Sequence, residues 1–288
     1  FANTIASAIS DNQLIINAKA LVLAGAADDV VIDASQLTGS NSVKMDVKND
    51  SATTNASNIT LTGSDNADDI TLEEASTASD NILTVISGKG DDKITVKTTS
   101  TQDGVVVVTA GDGNDTIDVS AATADATSGN DITGGKGDDT ITLDTEGAAS
   151  DFNLIFASTA ANNGLDTITN FTQGSSGDIL DIDAFLDATS LNAKITANAG
   201  SATAVENDVN LLVDITGGQD ITTASGLDAA LAAGGEYGNL DMTGSGSSVF
   251  VTATSSDAST DQHVFFASSS AGGVITTTKV AIMKSLDI

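Results

Sequence analysis

Three nine-residue stretches hold the most chemically specific pattern in this chain: Ser87–Thr95 (SGKGDDKIT), Ala110–Asp118 (AGDGNDTID) and Gly134–Thr142 (GGKGDDTIT). Each sets two glycines ahead of an aspartate: Gly88 and Gly90 before Asp92, Gly111 and Gly113 before Asp115, Gly135 and Gly137 before Asp139. Glycine reaches positive φ and lets one backbone approach another closely, so a tight turn can aim carbonyl oxygens inward while the Asp adds a charged oxygen. Such a turn supplies half of a calcium site. The Ile two residues after each Asp (Ile94, Ile117, Ile141) starts a strand and points into a core, which makes turn and strand one unit. Weaker copies place further candidate ligands at Asp68 (Gly63–Thr71), Asp29 (Ala24–Ile32) and Asp166 (Asn163–Ile168), and a degenerate copy puts Asn130 at the Asp position. The adjacent Asp at the fifth position is expected to offer its backbone carbonyl.

Other chemistry has little to build on. His263 is the sole histidine and cysteine is absent, which excludes a Cys/His zinc motif and leaves a nucleophilic triad without a partner set. Paired carboxylates such as Asp91-Asp92 are poor acid and base pairs, because neighbouring strand residues face opposite ways. The glycine turns are not phosphate cradles, since no G-K-[ST] follows and the charge has the wrong sign. The reading is a protein without catalytic residues.

The elements that must position these turns are β-strands. The motif aspartates fall at 68, 92, 115, 139 and 166, intervals of 24, 23, 24 and 27 residues, and that period defines a rung. Within a rung Ile70, Ile94, Ile117, Ile141 and Ile168 point inward, Thr71, Thr95, Asp118, Thr142 and Thr169 outward, and Leu72, Val96, Val119 and Leu143 inward again. One calcium turn per rung alternates with a longer irregular loop, such as Glu73 to Asn81, so the good turns stack along one edge and loops form the other. Strands of neighbouring rungs lie about 4.8 Å apart, close enough for consecutive turns to share ions. Residues 1–62 read as irregular β-solenoid rungs, 63–185 as the calcium-binding part, and 186–288 as a β-rich cap with one helix at Gly226 to Ala233, capped by Ser225. Asp178 and Asp181 are candidate late ligands.

Composition agrees with a stack of thin layers. Aromatics are 3% of 288 residues and Pro and Trp are absent, so stability must come from layered Val, Ile and Leu, and the apolar fraction of 40% supplies them. A net charge of −30 repels nucleic acid and anionic lipid and opposes compaction, which predicts folding coupled to several Ca2+ ions. The lack of cysteine fits an extracellular protein made without disulfides. No run approaches the roughly 20 apolar residues of a transmembrane segment. Phe1-Ala2-Asn3 does not read as a signal peptide, and the expectation is of a processed chain or a fragment.

The nonapeptides resemble the RTX (repeats-in-toxin) repeat G-G-x-G-x-D-x-U-x of calcium-binding parallel β-helices. That likeness implies an all-β fold, a right-handed parallel β-helix or β-roll with irregular loops, capped by a mostly-β subdomain. Asp166 to Phe171 and Gly177 to Phe185 look like the close of RTX domains in serralysin-type proteases. Asp257 to Ile288 resembles the C-terminal end that type I secretion machinery reads. Rungs such as Ile32 to Gly39 look like those of bacterial surface-layer (S-layer) proteins and large RTX adhesins. The resemblance implies a secreted, calcium-binding S-layer subunit that assembles with itself on the bacterial cell surface, with cell-surface polysaccharide held through a region outside this chain. The alternatives it leaves are the secretion module of an upstream enzyme and a segment of an adhesin.

Overall fold

A computed structural model describes residues 6–10, 12–21, 29–49, 58–75, 81–98, 104–122, 130–145, 152–157, 159–172, 177–182, 184, 193–197, 203–204, 211–215, 223–231, 240–241, 248–254, 261–269 and 275–284. The chain forms two compact units, Phe1–Ile155 with Asn170–Asp181, and Phe156–Thr169 with Ile182–Ile288.

The first unit is a parallel β-solenoid, the all-β fold expected. One sheet holds β1 (Ala6–Ser10), β2 (Gln13–Leu21), β4 (Ser42–Asn49), β6 (Asp69–Glu74), β8 (Lys93–Thr98), β10 (Thr116–Ala121) and β12 (Thr140–Thr142), in that order. The other holds β3 (Val30–Asp33), β5 (Ile59–Thr62), β7 (Ile82–Lys89), β9 (Val105–Asp112), β11 (Asn130–Lys136), β13 (Phe152–Ile155) and β15 (Ile179–Asp181). From β2 to β13 the chain alternates between the sheets, so each circuit lays one strand on each. Pairing is parallel apart from the β1/β2 hairpin.

Alternation with a period of two sets the register, because a slip of one residue would turn every apolar side chain outward. On the first sheet Met45, Ile70, Ile94, Ile117 and Ile141 lie side by side on consecutive strands, and all are buried. Leu61, Val85, Val108, Ile132 and Leu154 form the matching column on the second. Burial of each such side chain contributes about 1.5–3 kcal/mol, and the stack repeats that gain rung by rung. The outward column Thr71, Thr95, Asp118, Thr142 is also in register.

On the edge opposite the glycine turns first-sheet strands give way to second-sheet strands, and three of the latter are introduced there by a polar side chain that caps a neighbouring rung. Asn58 Oδ1 accepts the Ile82 N–H (3.0 Å), Asn130 Oδ1 the Val106 N–H (2.9 Å) and Asp178 Oδ1 the Phe152 N–H (3.1 Å). Asn130 is therefore a corner cap on the second sheet, and Asp178, whose Oδ2 accepts the Thr172 N–H (2.8 Å), ties a loop down. Loop residues 76–80, 99–103 and 123–129 lie outside the described residues.

In the second unit β14 (Asp166–Thr169), β22 (Ile275–Lys284), β21 (Gln262–Ser269), β20 (Ser248–Thr254), β18 (Leu211–Ile215) and β16 (Ala193–Ala197) follow one another in a sheet. Its helix, α1 (Ala224–Leu231), starts earlier than expected. Thr223, not Ser225, caps it: Thr223 Oγ1 accepts the Gly226 N–H at 3.0 Å, three residues on, as N-cap geometry requires. Leu227 is fully buried. No helix among the described residues is long and apolar enough to cross a membrane.

Candidate metal centre

The nonapeptides become one continuous edge of the solenoid, each turn joining a second-sheet strand to the next first-sheet strand. Gly88, Gly111 and Gly135 stack directly, at φ of 115°, 122° and 113°, a region that side-chain-bearing residues rarely occupy. Contact enforces glycine as well. A Cβ on Gly111 would lie 1.9 Å from Gly88 O, and one on Gly135 would lie 1.9 Å from Gly111 O. The fourth-position glycines repeat this, Gly113 over Gly90 O and Gly137 over Gly113 O, each at 2.0 Å. Turn carbonyls thus face the next rung with no side chain between.

The sixth-position aspartates form a column of their own. Asp68 N–H donates to Asp92 Oδ1 (2.7 Å), Asp92 N–H to Asp115 Oδ1 (2.8 Å) and Asp115 N–H to Asp139 Oδ1 (2.8 Å). One carboxylate oxygen per rung is thereby committed to holding the rung before it. The other is not: Oδ2 of Asp92 and Oδ2 of Asp115 are buried without a hydrogen-bond partner, in residues only 2% and 1% exposed. Ser87 Oγ donates to Ala110 O at 2.8 Å and also stands against the Asp92 carboxyl, where it offsets part of the cost of burial.

Burying a carboxylate oxygen without a donor raises the energy of the charged form. Burial pushes Asp92 up to about 7, opposed by Ser87 and the Asp68 N–H and reinforced by the charges of Asp115 and Asp68. Asp115 is raised to about 6 and Asp139 to about 7, in each case first by burial, with neighbouring aspartates adding to it. Two things relieve such an oxygen: a proton or a cation. Among the described residues no three Asp, Glu or His side chains converge on one point. A cation here would therefore complete its shell with turn carbonyls, as hard divalent ions do. The residues fit calcium: Asp92, Asp115 and Asp139 would supply charge, and the glycine turns would supply carbonyl oxygen.

Not every candidate belongs to this column. Asp29 is exposed, stands ahead of β3 on the second sheet, and accepts the Asn58 N–H at 3.3 Å, so it lies on the opposite edge. Asp166 is buried in the second unit at the start of β14, beside Ala281 of β22. Asp68 is in the column, yet both its oxygens are already taken: Oδ1 by the Val43 N–H (2.6 Å) and Ser64 Oγ (2.9 Å), Oδ2 by the Ser64 N–H (2.5 Å). A single nonapeptide copy hides the Val43 donor, which comes from another rung, whereas Ser64 at a glycine position is visible within it.

Two roles at the turn escaped the sequence reading. The fifth-position side chains run a second ladder in the opposite sense: Asp91 Oδ1 accepts the Asn114 N–H and Asn114 Oδ1 the Asp138 N–H, both at 2.8 Å. These residues thus also act through their side chains. The third position alternates in sign down the edge, Asp65, Lys89, Asp112, Lys136, with Lys89 paired to Asp65 (2.7 Å) and Lys136 to Asp112 (2.8 Å). The Asp65 carboxylate, with a smaller contribution from Asp112, holds the Lys89 ammonium above its usual range. That alternation is visible in the aligned copies and was the available signal.

No family model, curated protein or solved structure matches the chain.

Proposed function

We propose that this chain is a structural, calcium-folded subunit of an extracellular bacterial surface layer. The observation that carries the metal reading is the pair of buried carboxylate oxygens on Asp92 and Asp115, in consecutive rungs and without donors, beside turns that exclude every side chain. Calcium would neutralise these carboxylates and link successive rungs through oxygen.

The wider reading rests on composition and resemblance. A chain of net charge −30 stays expanded where calcium is scarce and closes where it is abundant, which suits type I export as an unfolded chain followed by folding outside the cell. A cysteine-free solenoid with one histidine offers a scaffold and no catalytic set. Calcium would act a second time by bridging carboxylates between copies, with attachment to cell-surface polysaccharide made elsewhere in the protein.

Two measurements test this. Calorimetric titration of chelator-treated protein with Ca2+ should show saturable binding that is weakened at least about ten-fold in Asp115→Asn; no binding by the native chain overturns the metal reading. Electron microscopy in calcium should show ordered sheets. Dispersed monomers would instead identify a secretion module of an upstream enzyme or an adhesin segment.

A further inference from the structure

The first acidic turn, Gly63–Thr71, shares the column but not the chemistry, because Ser64 and Asn66 stand where the other copies have glycine. Ser64 donates its N–H to Asp68 Oδ2 (2.5 Å) and brings its hydroxyl to Oδ1 (2.9 Å). Asn66 Nδ2 donates to Gly39 O (3.2 Å) and Asn41 O (3.0 Å) of the preceding rung. A carboxylate and two inter-rung carbonyls, the oxygen types a hard cation collects, are here met by hydrogen-bond donors of the chain itself.

The first-sheet strands around this turn are also tied by ion pairs. Lys19 pairs with Asp46 (2.5 Å), Lys44 with Asp69 and Lys48 with Glu73 (3.1 Å), each across neighbouring first-sheet strands. Val43, Met45, Val47, Ile70 and Leu72 beneath them are at most 1% exposed. Beyond Asp68 this changes, and Asp92 and Asp115 keep an unmet oxygen.

Resting on the calcium reading above, we infer that Ser64 and Asn66 are a built-in substitute for the cation. They close the first acidic turn without metal, so that β4, β5 and β6 form a metal-independent template on which the turns at 87–95, 110–118 and 134–142 then close with calcium. The edge of β6 presents β8 with its register, as parallel strand addition requires. Calcium would then extend an existing fold instead of nucleating one.

Hydrogen exchange on the full chain, in chelator and in calcium, tests this. In chelator the peptides covering 42–49 and 69–74 should stay protected, while those covering 105–121 and 130–142 exchange at least roughly ten-fold faster than in calcium. The double variant Ser64→Gly, Asn66→Gly should make protection of 42–49 and 69–74 depend on calcium. If both windows of the native chain lose and regain protection together, or if the variant keeps the first window protected in chelator, the inference fails while calcium binding stands. If neither window responds to calcium, the calcium reading fails and takes the inference with it.

Discussion

Removing divalent ions should turn the aspartate column into an acid-stabilised element, an unusual sign for carboxylates. Asp92, Asp115 and Asp139 titrate near 7, 6 and 7 in the fold against 3.8 for a free Asp. A carboxyl whose folded pKa is raised binds its proton more tightly folded than unfolded. Metal-free stability is therefore lost as pH rises from about 4 to about 7, and regained on acidification. A raise of about two units for Asp115 and about three for Asp92 and Asp139 is about 3–4 kcal/mol per group at 1.36 kcal/mol per unit. Solvent screening at the turns, and repulsion shared along the column, bring this to about 1–2 kcal/mol each. For three groups that is about 3–6 kcal/mol, most of it recovered between about pH 7.5 and pH 5. At roughly 2–4 °C per kcal/mol, Tm should rise by about 6–24 °C over that interval. The assay is thermal unfolding by circular dichroism in chelator, with the Asp92→Asn, Asp115→Asn double variant as control. Its amides stay neutral at both pH values, while the large net charge of the rest of the chain is retained. The native chain should show a steeper rise than the variant on acidification. Equal slopes, or a native Tm that falls toward pH 5, would refute the reasoning.

Three further substitutions probe separate parts of the design. Gly111→Ala places a Cβ 1.9 Å from Gly88 O at φ 122°, and should cost about 2–4 kcal/mol by urea unfolding in calcium. Ile117→Ala opens a cavity in a fully buried column between Ile94 and Ile141, and should cost about 2–5 kcal/mol in the same assay, with or without the ion. Lys136→Ala removes one partner of a half-exposed ion pair with Asp112, and should move Tm by no more than about 2 °C. A larger shift would mean that the alternating third-position charges set rung register and do more than decorate the edge.

How far the sequence reaches can be read turn by turn. The three best nonapeptides place glycine, aspartate and isoleucine by rules that operate within nine residues: φ above zero, a charged oxygen, and alternation on a strand. Local chemistry of that kind is legible without knowing what lies next to it. Asp29 carried the same local signals and stands on the other edge, because which sheet a strand joins depends on the whole circuit and not on its entry turn.

By itself, then, the sequence determined the parallel all-β stack, its rung period, the inward columns through Ile94 and Leu72, and the identity of the glycine turns at 88–92, 111–115 and 135–139. Only the tertiary structure decided which aspartates retain an unmet oxygen. Asp68 and Asp92 occupy the same place in the repeat. Asp68 is satisfied by Val43 from 25 residues upstream and by Ser64, whereas Asp92 is left with one oxygen unmet by any donor. A donor on a neighbouring rung becomes a neighbour only when the chain has completed a circuit, and so whether a carboxylate oxygen is met is a property of the stack.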